Sequence, residues 1–547
     1  MDMSALVVGA RKNKRIRNDG KQLRGTILEV LKVLLQERRD DEILELVSKL
    51  VARNAELEKL LATIRASKNR GEKVPRDKLK QLLEKLAGQQ PDSEQLQAAN
   101  EALSKATADN AGRPEQPKPP KQPPVRRPAP PGLQRVPNPI PVPPEERPCP
   151  NCGTERKTVD FEVHEVIELI PAKVIVRQDQ QEVVACPKCE GEMFRAPMGD
   201  KVVSGGAYGS RLVGSLVVDK YWHGLPLTRI AQDLQMLGLS MPSSSMSDQI
   251  MWATELLQPI WRALIDQVLG STIMHVDSTS IPVRDKETGY QVNLGALWGY
   301  VGDKDCAVYL YASTGKKLGQ REGEVGPEEF LAHRTGYVVA DAANLFDKSF
   351  QSDRLIEVGC NMHGRRRFVQ ALELGDERAA YAVAAFQTLY DVEDCVRDAE
   401  DATRLQQRQA RSKPVYDALI GWCTAWKDQV EPSSMLGKAI QYLDNHKLAL
   451  TRFLGDGRVP IDNGIVERLH RGPAKGRRSY LFAGSHAGGQ RAAIAYSVLA
   501  TCALLEINPV EYLADVLPRI ARGILVPQDI PALMPAAWKA AHPLAQQ

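Results

Sequence analysis

The stretch "STIMHVDSTSIPV", Ser271–Val283, decides how the chain is read. It is an apolar strand that runs into an acid, Asp277. Downstream, "YQVNLGALWGYVGDKDCAVYLYAS" supplies two more strands with a turn at Gly302-Asp303. "TGYVVADAANLF" and "IEVGCNMHGRRRF" each read as a strand passing into a helix, the first of them ending at Asp341. Together they predict an α/β core whose first part spans 271–370.

Working outward, residues 371–455 look helical, from "VQALELGDERAA" to "TRFLG", and are read as an insertion. Residues 456–547 are read as the second part of the core. There, "VPIDNGIVERLHRG" (459–472) gives an extended lead-in, an Asp-Asn-Gly turn and a helix carrying Glu467, and "AAIAYSVLATCALLEINPVEYLADVL" closes with helices. On the other side, 201–270 reads as all-helical. "LPLTRIAQDLQMLGLSMPSSSMSDQIMWATELL" fits a helix-turn-helix around Gly238, but Arg229 is its only positive charge, so ordinary helix packing accounts for it equally well.

Two further segments precede these. Residues 148–200 hold Cys149, Cys152, Cys186 and Cys189 as two Cys-x-x-Cys pairs flanking a β-rich stretch, the layout of a zinc ribbon with one structural Zn²⁺. The interval between the pairs is longer than usual, and either pair alone could be a redox dithiol. His164, lying between them, reads as a strand residue rather than a ligand. Residues 113–147 form an extended linker: with Pro148 the stretch holds 15 of the 36 prolines, which rules out a continuous helix or a central strand.

Residues 1–112 read as a helical region. Ile43, Val47, Leu50, Asn54, Leu57, Leu61 and Ile64 alternate intervals of four and three, which predicts a coiled coil and self-association, with Asn54 setting register. A helix packed on the leucine-rich segment 77–103 is the plainer alternative. The basic tract "RKNKRIRNDGKQLR" could touch phosphates or simply be solvated.

The chain of 547 residues is long enough for several domains. A net charge of +4 does not announce nucleic-acid binding, so any basic surface must be local. The longest apolar run, Ala492–Leu505, is shorter than the roughly 20 residues of a membrane span, no secretory signal opens the chain, and the cysteines suit a reducing compartment. We therefore expect an intracellular protein without membrane association.

Asp277, Asp341 and Glu467 stand at the ends of elements, where distant carboxylates can meet. Such hard oxygen ligands suit Mg²⁺ or Mn²⁺, and a pair of these ions can drive phosphodiester chemistry. Each acid also has a plain reading: Asp277 capping its own turn, Asp341 capping the following helix, Glu467 paired with Arg471 one turn on. Spacing alone does not choose.

The motifs "HVDST", "VADAANLF", "CNMHGRRRF", "IDNGIVERLHRGPAKGRRSYLFAGS" and "GGQRAAIAYSVL" resemble those of the insertion-sequence sixty-six transposase family, and the upstream segments resemble its architecture. The resemblance implies a multidomain DDE transposase: an RNase H-like α/β catalytic core with a helical insertion, preceded by a coiled coil, a zinc ribbon and a helix-turn-helix-like segment. It implies Asp277, Asp341 and Glu467 as catalytic ligands of two Mg²⁺ (or Mn²⁺). Arg365, Arg366, Arg468, Arg471, Lys475, Arg477 and Arg478 would face DNA phosphates. His363 could approach DNA but is as readily a structural residue at a strand end. Partners would be double-stranded DNA at element ends and target, and accessory transposition proteins. The location would be cytoplasmic in a bacterium, at the nucleoid. Two departures stand out, Ser278 where the family more often has Glu and Gly464 where a second Asn is usual. The rival readings are a domesticated DNA-binding protein that has lost catalysis, and a nuclease of the same fold that cuts without joining.

Overall fold

The computed structural model describes residues 74–86, 173–180, 183–184, 194–195, 202, 206–284, 289, 291–313, 325–341, 346–522 and 527–543. The expected coiled coil, the proline-rich linker and all four zinc-ribbon cysteines lie outside the described residues. Of the 148–200 segment, the described part includes one antiparallel ladder, Val183–Val184 against Phe194–Arg195.

The chain clusters into two compact units. One draws on 1–91, 366–384 and 430–439. In it, helix Arg76–Leu86 buries Leu79, and Lys85 Nζ sits 2.6 Å from Glu377 Oε2. That pair is solvent-exposed and contributes little to stability.

The other unit draws on 92–365, 385–429 and 440–547 and holds a five-stranded sheet. Its strands are β1 (Ile273–Arg284), β2 (Val292–Gly302), β3 (Cys306–Ser313), β4 (Gly336–Ala340) and β5 (Leu355–Gly359). The spatial order is β3-β2-β1-β4-β5. β1, β2 and β3 form an antiparallel meander, whereas β4 and β5 run parallel to β1. β2 and β3 are buried over nearly continuous runs because both faces are covered by helices.

The outer edge of β3 would present unpaired backbone groups, and a helix, α11 (His486–Leu504), covers it. Ser497 Oγ accepts from Tyr309 N at 2.7 Å and Thr501 Oγ1 accepts from Ala307 N at 3.0 Å. Each hydroxyl's own hydrogen goes to a carbonyl one turn back in the helix, Ser497 to Ala493 O at 2.7 Å and Thr501 to Ser497 O at 2.9 Å. The run read as a closing core helix is thus buried for a second reason besides its apolarity.

Ahead of the sheet lie α1 (Ser210–Val217), α2 (Leu227–Met236), α3 (Ser243–Leu256) and α4 (Gln258–Gly270). The turn between α2 and α3 contains Gly238 at φ +89°, a left-handed conformation that glycine adopts without strain. After β5 comes α5 (Asn361–Glu373), which crosses from the first core part into the stretch read as a helical insertion, and α6 (Ala380–Cys395), α7 (Lys413–Lys427) and α8 (Met435–Asn445) lie within that stretch. Next follow α9 (Gly464–Leu469) and α10 (Arg471–Ser479), and α12 (Pro509–Ala521) comes after α11. Among the described residues, no helix is long and apolar enough to cross a membrane.

Four local expectations shift. Asp277 does not end a strand, because β1 continues through Arg284 along its ladder with β2. The β2–β3 turn centres on Asp303 and Lys304, both at positive φ (43° and 69°), one residue beyond the expected position. Asp303 stabilises it by accepting from the Thr272 and Ile273 backbone N–H groups at 2.8 and 2.9 Å. His363 lies in the first turn of α5, not at a strand end. The helix expected after the Asp-Asn-Gly turn is two short helices that meet at His470.

Candidate active site

β4 borders β1 only from Ile273 to His275. Beyond that point the β4-side edge of β1 lacks a strand, and segment 463–483 closes it. Asn463 Nδ2 donates to Val276 O at 2.8 Å, Arg477 Nη1 to Ser280 O at 2.8 Å, and Ala483 N to Pro282 O at 2.8 Å, while Arg284 N donates to Ala483 O at 2.8 Å. All four β1 positions are even-numbered, so they share one edge of the strand, because backbone groups alternate sides along it. The polar turn that precedes Glu467 is therefore stapled to the strand that carries Asp277.

Asn463 is fully buried and uses its whole amide. With Nδ2 donating to Val276, its Oδ1 is the acceptor for His275 Nδ1 at 3.0 Å, which assigns the hydrogen to that ring nitrogen. Burial pulls the His275 pKa down to about 4, so the imidazole is neutral. The Asn463 backbone N–H donates to Cys360 Sγ at 3.3 Å, and burial pushes the Cys360 thiol up to about 12. From the other side, Asn361 Nδ2 donates to the Leu450 and Ile461 carbonyls at 2.9 and 3.0 Å. Asn463→Ala is expected to cost about 2–4 kcal/mol of stability, because it strands His275 Nδ1 and Val276 O in the interior; urea denaturation of the full-length variant measures it.

The three candidate acids approach this staple from different elements. His275 and Val339 are the last register partners of the β1–β4 ladder, with Asp277 two residues further along β1 and Asp341 directly after the end of β4. Neighbouring strands lie about 4.8 Å apart. Asp277 Oδ1 accepts from Ser278 N at 2.7 Å, and its Oδ2 lies 3.6 Å from His470 Nε2. His363 stands between the other two acids: Nε2 is 3.8 Å from Asp341 Oδ2 and Nδ1 is 3.7 Å from Glu467 Oε1. The acid side chains are 27%, 36% and 21% exposed for Asp277, Asp341 and Glu467, so each is reachable from solution. The helix Asp347–Phe350 takes Phe346 at its N-cap, and residues 342–345 next to Asp341 lie outside the described residues.

Two donor sets could hold a metal. Cys360, His363 and Glu467 offer a sulfur, a nitrogen and an oxygen within 4.8 Å of one another. The thiol is buried and protonated, and it already accepts the Asn463 N–H, so it is a poor ligand. Among the described residues only the Cys360 set brings three ligand atoms within 4.8 Å of one another; Asp277, Asp341 and Glu467 instead offer partly exposed hard oxygens, the chemistry that suits Mg²⁺ or Mn²⁺.

Arg468, Arg471, Lys475 and Arg478 are all exposed and follow intervals of three, four and three, which makes one cationic stripe beginning beside Glu467. Arg477 departs from the expected set. It is half-buried, and its Nη1 donates to Thr279 Oγ1, Ser280 O and Ser280 Oγ at 3.0, 2.8 and 2.9 Å, bracing β1. Arg365 and Arg366 are half-buried on α5.

Cys360, Asn463 and His470 were not read as functional from sequence. The adjacency of Asp462-Asn463 to Glu467 was the available signal, because a polar turn opening onto a helix that carries one acid needs something to hold it.

Residues 205–491 match the family described as the Transposase IS66 family, and residues 146–190 match the zinc-finger binding domain of transposase IS66. The second match contains all four ribbon cysteines and supports a structural zinc there. Among curated proteins, the chain is similar to uncharacterized protein y4hP of Sinorhizobium fredii, with 29% identity covering 90% of this chain and 89% of that protein. It is also similar to uncharacterized protein y4jD of the same organism, with 27% identity over 73% of this chain and 80% of the relative.

Proposed function

From a chain that belongs to the IS66 family of transposases, we propose a DNA transposase that cuts at its element ends and joins the freed 3′ hydroxyl to target DNA. Asp277, Asp341 and Glu467 are its acidic triad. What supports this reading is that His363 lies 3.8 Å from Asp341 and 3.7 Å from Glu467, while the turn ahead of Glu467 is bonded at Val276 to the strand that carries Asp277. The strand order β3-β2-β1-β4-β5, antiparallel on one side of β1 and parallel on the other, supports an RNase H-like core.

When bound, a pair of Mg²⁺ or Mn²⁺ ions supplies Lewis acidity and charge neutralisation at the scissile phosphate. The chain's own work is positioning. Asp277, Asp341 and Glu467 hold the hard-cation site at the sheet edge. The Arg468–Arg478 stripe tracks the DNA backbone and sets the scissile phosphate against those acids, with Arg365 and Arg366 adding contacts from α5. Arg477 keeps β1 rigid beneath them. The zinc segment organises DNA binding, the seam from Ile43 to Ile64 supports self-association, accessory proteins act with it, and the protein works at the bacterial nucleoid.

The test is a strand-transfer assay with the full-length protein, DNA flanking its gene and a labelled 3′-hydroxyl end. Joined products that require Mg²⁺ and vanish with EDTA are expected. Cleavage without joining would identify a nuclease instead, and DNA binding with neither reaction would overturn the catalytic reading.

A further inference from the structure

We propose that His470, held by Tyr309, is a positioning residue that orients the Asp277 carboxylate. The inference rests on the reading of Asp277 as a cation-holding acid. His470 sits at the break between α9 and α10 and is 7% exposed. Its Nδ1 is 3.2 Å from the Tyr309 hydroxyl, and its Nε2 is 3.6 Å from Asp277 Oδ2. If the phenol donates to Nδ1, the ring hydrogen is on Nε2, which lies beside Asp277 at a distance longer than a hydrogen bond and acts on its carboxylate through charge–dipole attraction. The other tautomer would aim a lone pair at an anion, so the first is favoured.

The sheet is built to admit this ring. Gly299 is the register partner of Asp277 on β2 and therefore lies on the same face. A Cβ at Gly299 would come within 2.7 Å of His470 Cε1 and 3.1 Å of the Tyr309 ring. A strand-interior glycine gives up stability, and here it clears the volume that the imidazole occupies beside the acid. Tyr309 is itself anchored, because its backbone N–H donates to Ser497 Oγ of α11 at 2.7 Å. A continuous chain of contacts thus runs from α11 through Tyr309 and His470 to Asp277. A ring serving only to fill the core would need neither its Nδ1 partner nor a cleared site opposite an acid.

The experiment measures Mn²⁺ binding by electron paramagnetic resonance in the full-length protein, beside its melting temperature. Removing a group that orients a metal ligand typically weakens affinity about 10- to 100-fold. His470→Leu is expected to lose affinity within that range, His470→Gln to recover to within about 3-fold of wild type because its amide N–H can still donate, and Tyr309→Phe to fall between them. Tyr309→Phe removes a single oxygen and keeps the test decisive if the leucine variant does not fold. Asp277→Asn sets the reference. If it retains full Mn²⁺ affinity, the triad reading fails; if it loses affinity while His470→Leu and Tyr309→Phe bind as wild type, only the positioning role fails.

Discussion

Asp277→Asn and Glu467→Gln are each expected to lower Mg²⁺-dependent cleavage and strand transfer by at least about 10³-fold while leaving DNA affinity within about 3-fold. Both substitutions keep side-chain volume and remove one negative charge. At position 277 the amide oxygen can still accept from Ser278 N, so β1 keeps its local geometry. At 467 the glutamine stays within reach of His363, and the Asn463 staple that positions α9 is untouched. DNA affinity should survive because it depends on the exposed Arg468, Arg471, Lys475 and Arg478, none of which is altered. Gel-resolved strand transfer and a mobility-shift titration at fixed salt separate the two effects. Wild-type transfer by either variant would remove that residue from the triad.

Arg408→Met is expected to destabilise the full-length protein by about 3–5 kcal/mol, read from urea denaturation. Arg408 is 1% exposed and fills nearly every direction of its guanidinium. Nε and Nη2 donate to the two Glu393 oxygens at 2.8 and 2.7 Å, and Nη1 donates to the Phe453, Asp456 and Val459 carbonyls at 3.0, 3.1 and 2.8 Å. The plane also lies over the Phe453 ring, 5.3 Å from its centroid. Methionine restores much of the volume but leaves the Glu393 carboxylate and three carbonyls without their donor. Most of the loss comes from those orphaned acceptors and little from packing. Adding Glu393→Gln should recover part of it, since the stranded charge is then gone. A loss below about 1 kcal/mol would show that water or repacking replaces the guanidinium. The braced segment, 453–459, leads directly into Asp462, Asn463 and Glu467, so the stability of this part of the insertion and the position of the third acid are linked through one side chain.

Much of the fold could be read from residue pattern. Five strands were expected between 271 and 370, and the described residues there form five, because alternating or continuous apolar runs bounded by Gly, Asp and Asn are local signals. Helical character before 271 and after 371 was equally legible. Boundaries were less so: β1 extends past Asp277 because β2 offers it a ladder up to Arg284, and no residue within β1 announces how long its partner will be. Gly464 stands where the family usually has a second Asn. It is buried and donates its N–H to Asp462 Oδ1 at 2.8 Å, so the turn itself holds it.

The candidate site was legible as residues and illegible as a place. Sequence alone determined the α/β class, the strands that carry Asp277 and Asp341, and the short polar turn ahead of Glu467, because each is a property of a few neighbouring residues. Only the tertiary structure decided that the open edge of β1 is closed by a side chain 187 residues away in sequence, that His363 stands between two acids, and that Gly299 makes room for His470. Hydrogen bonds from a side chain to a distant backbone edge leave no periodicity in the chain, since they depend on where a strand loses its neighbour and not on the residues beside it.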